Sequence, residues 1–100
     1  MDVLPDPIEF DWDEGNIDKN FIKHGLTNKQ IEAVFVSGHP QYMIDERHSL
    51  KERRYMLWNK SSDGRYVTVI FTIRSPKVRV ISARVMNRRE RSAYETKETI

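Results

Sequence analysis

The chain has 100 residues, a length that fits one small domain with a core of modest size. It contains no cysteine, which excludes disulfides and thiolate metal sites and is compatible with a reducing cytoplasm. The net charge of +2 conceals an asymmetry: residues 1–20 carry seven acidic residues and one basic, whereas residues 46–91 carry thirteen Lys or Arg and four acidic residues. That pattern suggests a nucleic-acid partner for the basic part, unless the two parts neutralise each other in the fold.

The first residues lack the basic and apolar regions of a secretory signal, and the apolar run from Val67 to Ile73 is too short to span a bilayer. A cytoplasmic protein without membrane contact is expected. Ile8 to Trp12 alternates apolar and acidic residues, which predicts a half-buried strand. Asp13 to His24 reads as a helix, with Ile17, Phe21 and His24 on one face and Gly25 as its stop. Thr27-Asn-Lys-Gln30 fits a capping box that opens a second helix. Ile31, Val34 and Phe35 form the apolar stripe of that helix, and Gly38 closes it. Gln41 to Ile44 is a short strand and Asp45 to Lys51 a polar loop. Arg53 to Asn59, Tyr66 to Ile73 and Lys77 to Arg84 read as three strands, separated by turn signals at Ser61 to Gly64 and at Ser75-Pro76. Asn87 and Glu90 repeat the capping-box spacing and start a last helix. The order β-α-α-β-β-β-β-α predicts an α+β domain over residues 1–100. Its antiparallel sheet would have two N-terminal helices and one C-terminal helix, packed on one face.

The C-terminal quarter is the most informative segment. A β-branched strand ends in Arg84 and runs directly into a helix start carrying Arg88, Arg89 and Arg91. Guanidinium groups gathered where a strand meets a helix suit phosphate. Strand alternation puts Arg84 on the same face as Val78, Val80 and Ser82, the apparent core face. An arginine there needs either a phosphate or a carboxylate partner, such as Glu95 or an N-terminal Asp.

Taken in order, several segments resemble the BrnT-type toxins of toxin–antitoxin pairs. They are Phe10-Asp-Trp12-Asp13, Asn20-Phe-Ile-Lys23-His24-Gly25, Ala33-Val34-Phe35, Asp63-Gly64-Arg65, Phe71-Thr72-Ile73-Arg74, Ile81-Ser82-Ala83-Arg84, Arg88-Arg89-Glu90-Arg91 and Tyr94-Glu95. The resemblance implies a ribonuclease with a RelE-like fold that inhibits translation and growth. It also implies a cognate BrnA-like antitoxin of the ribbon-helix-helix type, forming a hetero-oligomer and binding promoter DNA. Two segments depart from the usual pattern. Leu26-Thr-Asn-Lys-Gln30 lacks the common aromatic residue, and Leu57-Trp58-Asn59-Lys60 lacks the common glycine.

RNA can be cut without metal when its 2′-hydroxyl attacks the adjacent phosphorus. The reaction needs a base, an acid for the leaving 5′-oxygen and positive charge on the phosphate. His24 is the first acid or base candidate, because histidine titrates near ~6.5; a plain capping role at the helix end is the alternative. Lys23 is its neighbour, though on a helix the two point about 100° apart. Arg84, Arg74 and Tyr94 complete the expected catalytic set, with core packing the alternative for Tyr94. Arg65, Arg88, Arg89 and Arg91 are the expected RNA and phosphate contacts. Trp12, Trp58 and Tyr55 fit core packing better than base stacking. His24, His39 and His48 are not at ligand spacing, so neither a metal nor a cofactor is expected. Two other readings use the same basic surface: a non-catalytic nucleic-acid-binding or regulatory module acting through a partner protein, and a domain that docks an acidic partner peptide.

Overall fold

β-branched and aromatic residues dominate the second half of the chain, and they form the sheet. A computed structural model describes residues 4–48 and 51–98. Strands β1 (Gln41–Ile44), β2 (Arg54–Lys60), β3 (Tyr66–Arg74) and β4 (Lys77–Val85) pair antiparallel in the order β1-β2-β3-β4. Helices α1 (Lys19–His24) and α2 (Asn28–Ala33) precede the sheet, and α3 (Arg88–Glu98) follows it. This is the expected α+β class. Part of the expected polar loop from Asp45 to Lys51 forms a single 3-10 turn at Glu46–His48, and its residues 49–50 lie outside the described residues.

Both capping boxes are present. Thr27 Oγ1 accepts from the Gln30 amide at 3.1 Å, and Gln30 Oε1 accepts from the Thr27 amide at 2.9 Å. Asn87 and Glu90 make the equivalent pair at 2.8 and 2.9 Å. Each box satisfies amides that a helix start leaves without intrahelical partners.

The sheet is covered on both faces, not on one as expected. Leu57, Val67, Val69, Phe71, Val78, Val80 and Ala83 are buried with Leu26, Ile31, Val34 and Phe35 of the α1–α2 region. On the other face Trp58 is buried with Met86 and Tyr94, and Met43, Met56, Tyr66 and Ala93 pack around them. The reason is in the strands: β2 and β3 are apolar at successive positions, so each presents an apolar row in both directions. Trp12, Trp58 and Tyr55 are packed in these clusters.

A bulge in β4 changes which residues share a face. Ile70 pairs with Ser82 and Phe71 with Val80, which leaves Ile81 as the extra residue. Beyond it Ala83 continues the core row, and Arg84, opposite Thr68, falls on the α3 face. The expected shared face of Arg84 with Val78 and Val80 is therefore wrong. Strict alternation holds only where no residue is inserted.

The N-terminal segment covers the edge of β4. The expected strand from Ile8 to Trp12 reduces to one parallel bridge, Phe10 with Val78, held by Asp11 N to Val78 O and Val78 N to Glu9 O, both 2.8 Å. Its alternation is still correct, because Ile8, Phe10 and Trp12 all pack on the core. Two buried asparagines then continue the pairing. Asn16 Nδ2 donates to Val80 O at 3.1 Å, and Asn20 Oδ1 accepts from Ala83 N at 2.9 Å. Pairing an edge in this way removes open donors and acceptors that invite association. It also shortens the expected helix. Residues 14–18 form turns, Asp18 sits at φ 60°, and α1 begins only at Lys19. Gly25, at φ 69°, ends α1 as expected.

Candidate nucleic-acid interface

Arg84 emerges from the bulged end of β4 toward α3. Its Nη1 and Nη2 donate to the two Glu90 carboxylate oxygens at 2.6 and 2.9 Å, and Nη1 also donates to Val85 O at 3.3 Å. The partner is thus Glu90, neither Glu95 nor an N-terminal Asp. Glu90 is held in turn by Thr68 Oγ1 at 3.1 Å and by the Asn87 amide. Burial pushes the Glu90 carboxyl up, but Arg84, the Asn87 amide and Thr68 together bring it below its ordinary value. Arg84 rises above its ordinary value, chiefly through its bond to Glu90.

A guanidinium has five N–H donors. The pair with Glu90 takes the end edge of Arg84, and no hydrogen bond occupies its Nε–H among the described residues. The side edge, Nε with Nη2, is left for a second bidentate acceptor. Arg84 lines a groove of about 370 Å³ together with Arg47, Arg54, the carboxylates of Asp45 and Glu90, and Met56, Ile70, Ile81 and Ser82. Sequence reasoning did not single out Arg47 or Arg54. Their signal is the pairing of β1 with β2, which brings Asp45 and Arg54 together through Asp45 N to Arg54 O at 2.8 Å.

The other expected site residues are spread over the molecule. Lys23 and His24 are exposed on α1, beside the β4 edge, and neither makes a side-chain hydrogen bond or ion pair to Arg84 among the described residues. Arg74 ends β3, six residues from Thr68, which is roughly 20 Å along a strand. Its Nε and Nη2 both donate to Glu52 at 3.0 Å, so its side edge is occupied. Tyr94 is buried, its ring packed edge-on against Tyr66 and its hydroxyl 3.3 Å from Asn59 Oδ1. Arg65 clamps the β2–β3 turn to the helices. It donates to Gly25 O at 3.0 Å, to Gln30 Oε1 at 3.1 Å and to Asp63 at 2.9 Å. Arg65, followed by Ser61, takes the Asp63 carboxyl down to about 2. Arg88 and Arg89 are exposed at the start of α3, and Arg91 lies over the Tyr66 ring at 4.1 Å.

Part of the charge asymmetry is internal. Arg79 binds Asp13 bidentately, both bonds at 3.0 Å, and approaches Asp11 at 3.4 Å. The acidic N-terminus thereby neutralises the Arg79 end of β4, while the Arg84 end is paired with Glu90 from α3. Among the described residues no helix is long and apolar enough to cross a membrane.

The family model described as the ribonuclease toxin, BrnT, of type II toxin–antitoxin systems matches residues 12–90. That span takes in α1, the edge-pairing asparagines, the whole sheet and the Arg84–Glu90 pair. No curated protein matches the chain. With more than half of its length matched, the chain belongs to the BrnT family of ribonuclease toxins of type II toxin–antitoxin systems.

Proposed function

We propose that this toxin cuts RNA without a metal ion, by attack of the 2′-hydroxyl on the adjacent phosphorus, with the scissile phosphate held in the Arg84 groove. The observation that carries this reading is the open side edge of Arg84, presented while its end edge is fixed by Glu90. A guanidinium already oriented by a carboxylate loses little freedom on meeting a phosphate oxygen pair, and its charge opposes the charge that develops in the transition state. Arg54 and Arg47 add positive charge at the same groove. Tyr94 remains in the proposed catalytic set and Arg88, Arg89 and Arg91 in the proposed RNA surface, while Arg74 and Arg65 are already bonded to Glu52 and to Gly25 O, Gln30 and Asp63. Lys23 and His24 supply the proposed acid and base from the β4 edge, where an RNA strand crossing from the groove would pass.

A cognate antitoxin is the partner that a type II toxin implies. In this proposal it is a BrnA-like ribbon-helix-helix protein that carries promoter DNA binding and covers the basic groove. Metal independence is tested by incubating RNA with the purified toxin in EDTA. Cleavage that persists in EDTA and leaves 2′,3′-cyclic phosphate ends is the expected result. Cleavage that EDTA abolishes would overturn the metal-free reading. The lack of any bond from Lys23 or His24 to Arg84 among the described residues favours the second reading, a module that binds nucleic acid without cutting it; intact RNA with steeply salt-dependent binding is its outcome.

A further inference from the structure

A second concavity, of about 460 Å³, lies beside the middle of α3 and is lined by Gly38, His39, Asn59, Lys60, Ser61, Tyr66, Tyr94 and Glu95. Its organising feature is the Tyr66 ring. Tyr94 packs edge-on against that ring, with centroids 6.1 Å apart and planes at 78°. Arg91 places its guanidinium over the ring at 4.1 Å, and Lys60 Nζ lies 5.4 Å from the centroid. Arg91 is fixed in this position by Glu95, four residues on, at 2.9 Å, while its side chain keeps 55% exposure. A planar cation therefore lies over the ring of Tyr66, a residue that lines the concavity, and is itself half open to solvent.

We infer that this pocket is a nucleobase site for the RNA strand whose phosphate the Arg84 groove holds; the inference rests on the proposed ribonuclease reading. Unstacked bases of single-stranded RNA bind by stacking on aromatic rings or on Arg guanidinium planes, with polar edge contacts beside them. The Tyr66 ring lines the pocket, and Arg91 lies over that ring. A base laid on the outer face of Arg91 extends the stack Tyr66–Arg91 by one layer. The Glu95 carboxylate supplies acceptors at its edge, and Lys60 and His39 supply donors or charge. The placement also fits. Thr68, opposite Arg84, and Tyr66 lie two residues apart on one face of β3, about 7 Å along the strand. A single extended nucleotide spans such a distance. Arg88 and Arg89, exposed at the start of α3, add positive charge next to Glu90.

The test is an NMR titration of the intact toxin with guanosine and adenosine 5′-monophosphates, with ribose 5-phosphate as the base-free probe. Nucleotides are expected to move the signals of Lys60, Tyr66 and Tyr94, and ribose 5-phosphate only those around Arg84. Arg91→Ala, at an exposed position, is expected to weaken nucleotide binding about tenfold and ribose 5-phosphate binding much less. Arg91→Lys keeps the charge but not the plane, and is not expected to restore affinity. Identical shifts from ribose 5-phosphate and the nucleotides would overturn the base site. So would wild-type nucleotide affinity in Arg91→Ala. Pocket signals that answer only to an acidic peptide would also overturn it and mark the surface as a protein contact. Base binding in a toxin that cuts RNA neither with nor without EDTA leaves the pocket standing and removes only the proposed cutting reaction.

Discussion

Glu90 holds Arg84 by its end edge, with bonds of 2.6 and 2.9 Å, and is itself fixed by the capping box of α3 and by Thr68 on β3. One carboxylate thus ties a helix start, a strand and the arginine of the proposed phosphate site into a single unit. The helix cannot shift without moving the guanidinium.

Replacing Arg84 is expected to act on the reaction more than on the fold. Arg84→Ala should lower RNA cleavage about 10²–10³-fold, the scale of removing one preorganised charge-stabilising donor. Arg84→Lys keeps a charge but cannot hold Glu90 and a phosphate at once, so it should recover little. Glu90→Gln retains the cap and the Thr68 bond but weakens the hold on Arg84. A fall in kcat with little change in KM is expected, and cleavage kinetics beside circular dichroism check it. Wild-type kcat in Glu90→Gln would remove its positioning role.

Stability should fall in mild acid. The Glu90 and Asp63 carboxyls both titrate lower in the folded chain than in the unfolded one. Groups shifted down stabilise the fold above their unfolded values, near 4.5 and 3.8, and lose that contribution as the pH falls through the folded values. Urea midpoints should therefore be flat from pH 7 to about pH 5 and decline below that, with the Asp63 part persisting toward pH 2. Glu90→Gln should flatten the upper part of the decline.

Asn20→Ala should be costly for a polar-to-apolar change. It leaves the Ala83 amide buried without its acceptor, a loss of about 1–3 kcal/mol. In a domain of this size that lowers Tm by roughly 4–8 °C per kcal/mol. Thermal unfolding checks the size. Concentration-dependent aggregation of the variant would show that the exposed β4 edge has begun to recruit other chains.

Arg65 and the α3 arginines should separate by salt dependence. Arg88→Gln and Arg89→Gln are expected to weaken RNA binding. Each phosphate left without its arginine should reduce the slope of log affinity against log salt by about 0.7. Arg65 is bonded to Gly25 O, Gln30 and Asp63, so Arg65→Ala should lower Tm first. An unchanged slope in Arg65→Ala with a lowered Tm marks its clamp as structural.

Local signals were the legible ones. Thr27 with Gln30 and Asn87 with Glu90 announced two helix starts, and Gly25 announced a helix end, because each depends on neighbours three or four residues away. Apolar runs located all four strands to within one residue. Less legible was anything set by pairing across distance. Ile8 to Trp12 looks like a strand, but only one bridge to Val78 forms before Asn16 turns its side chain to the β4 edge. Arg74 and Arg84 look equivalent as strand-end arginines. One is closed on its side edge by Glu52, and the other is closed on its end edge by Glu90.

By itself, then, the sequence determined the order of the three helices and the four sheet strands, the α+β class, both caps and the ordered segments that mark a BrnT toxin. Those depend on composition and short spacings, which folding does not rearrange. Only the tertiary structure decided which face Arg84 occupies and who holds it. The inserted Ile81 is defined by the pairing of β3 with β4, and a bulge shifts every later side chain to the other face. That single insertion moves Arg84 from the core row to Glu90 and the open groove.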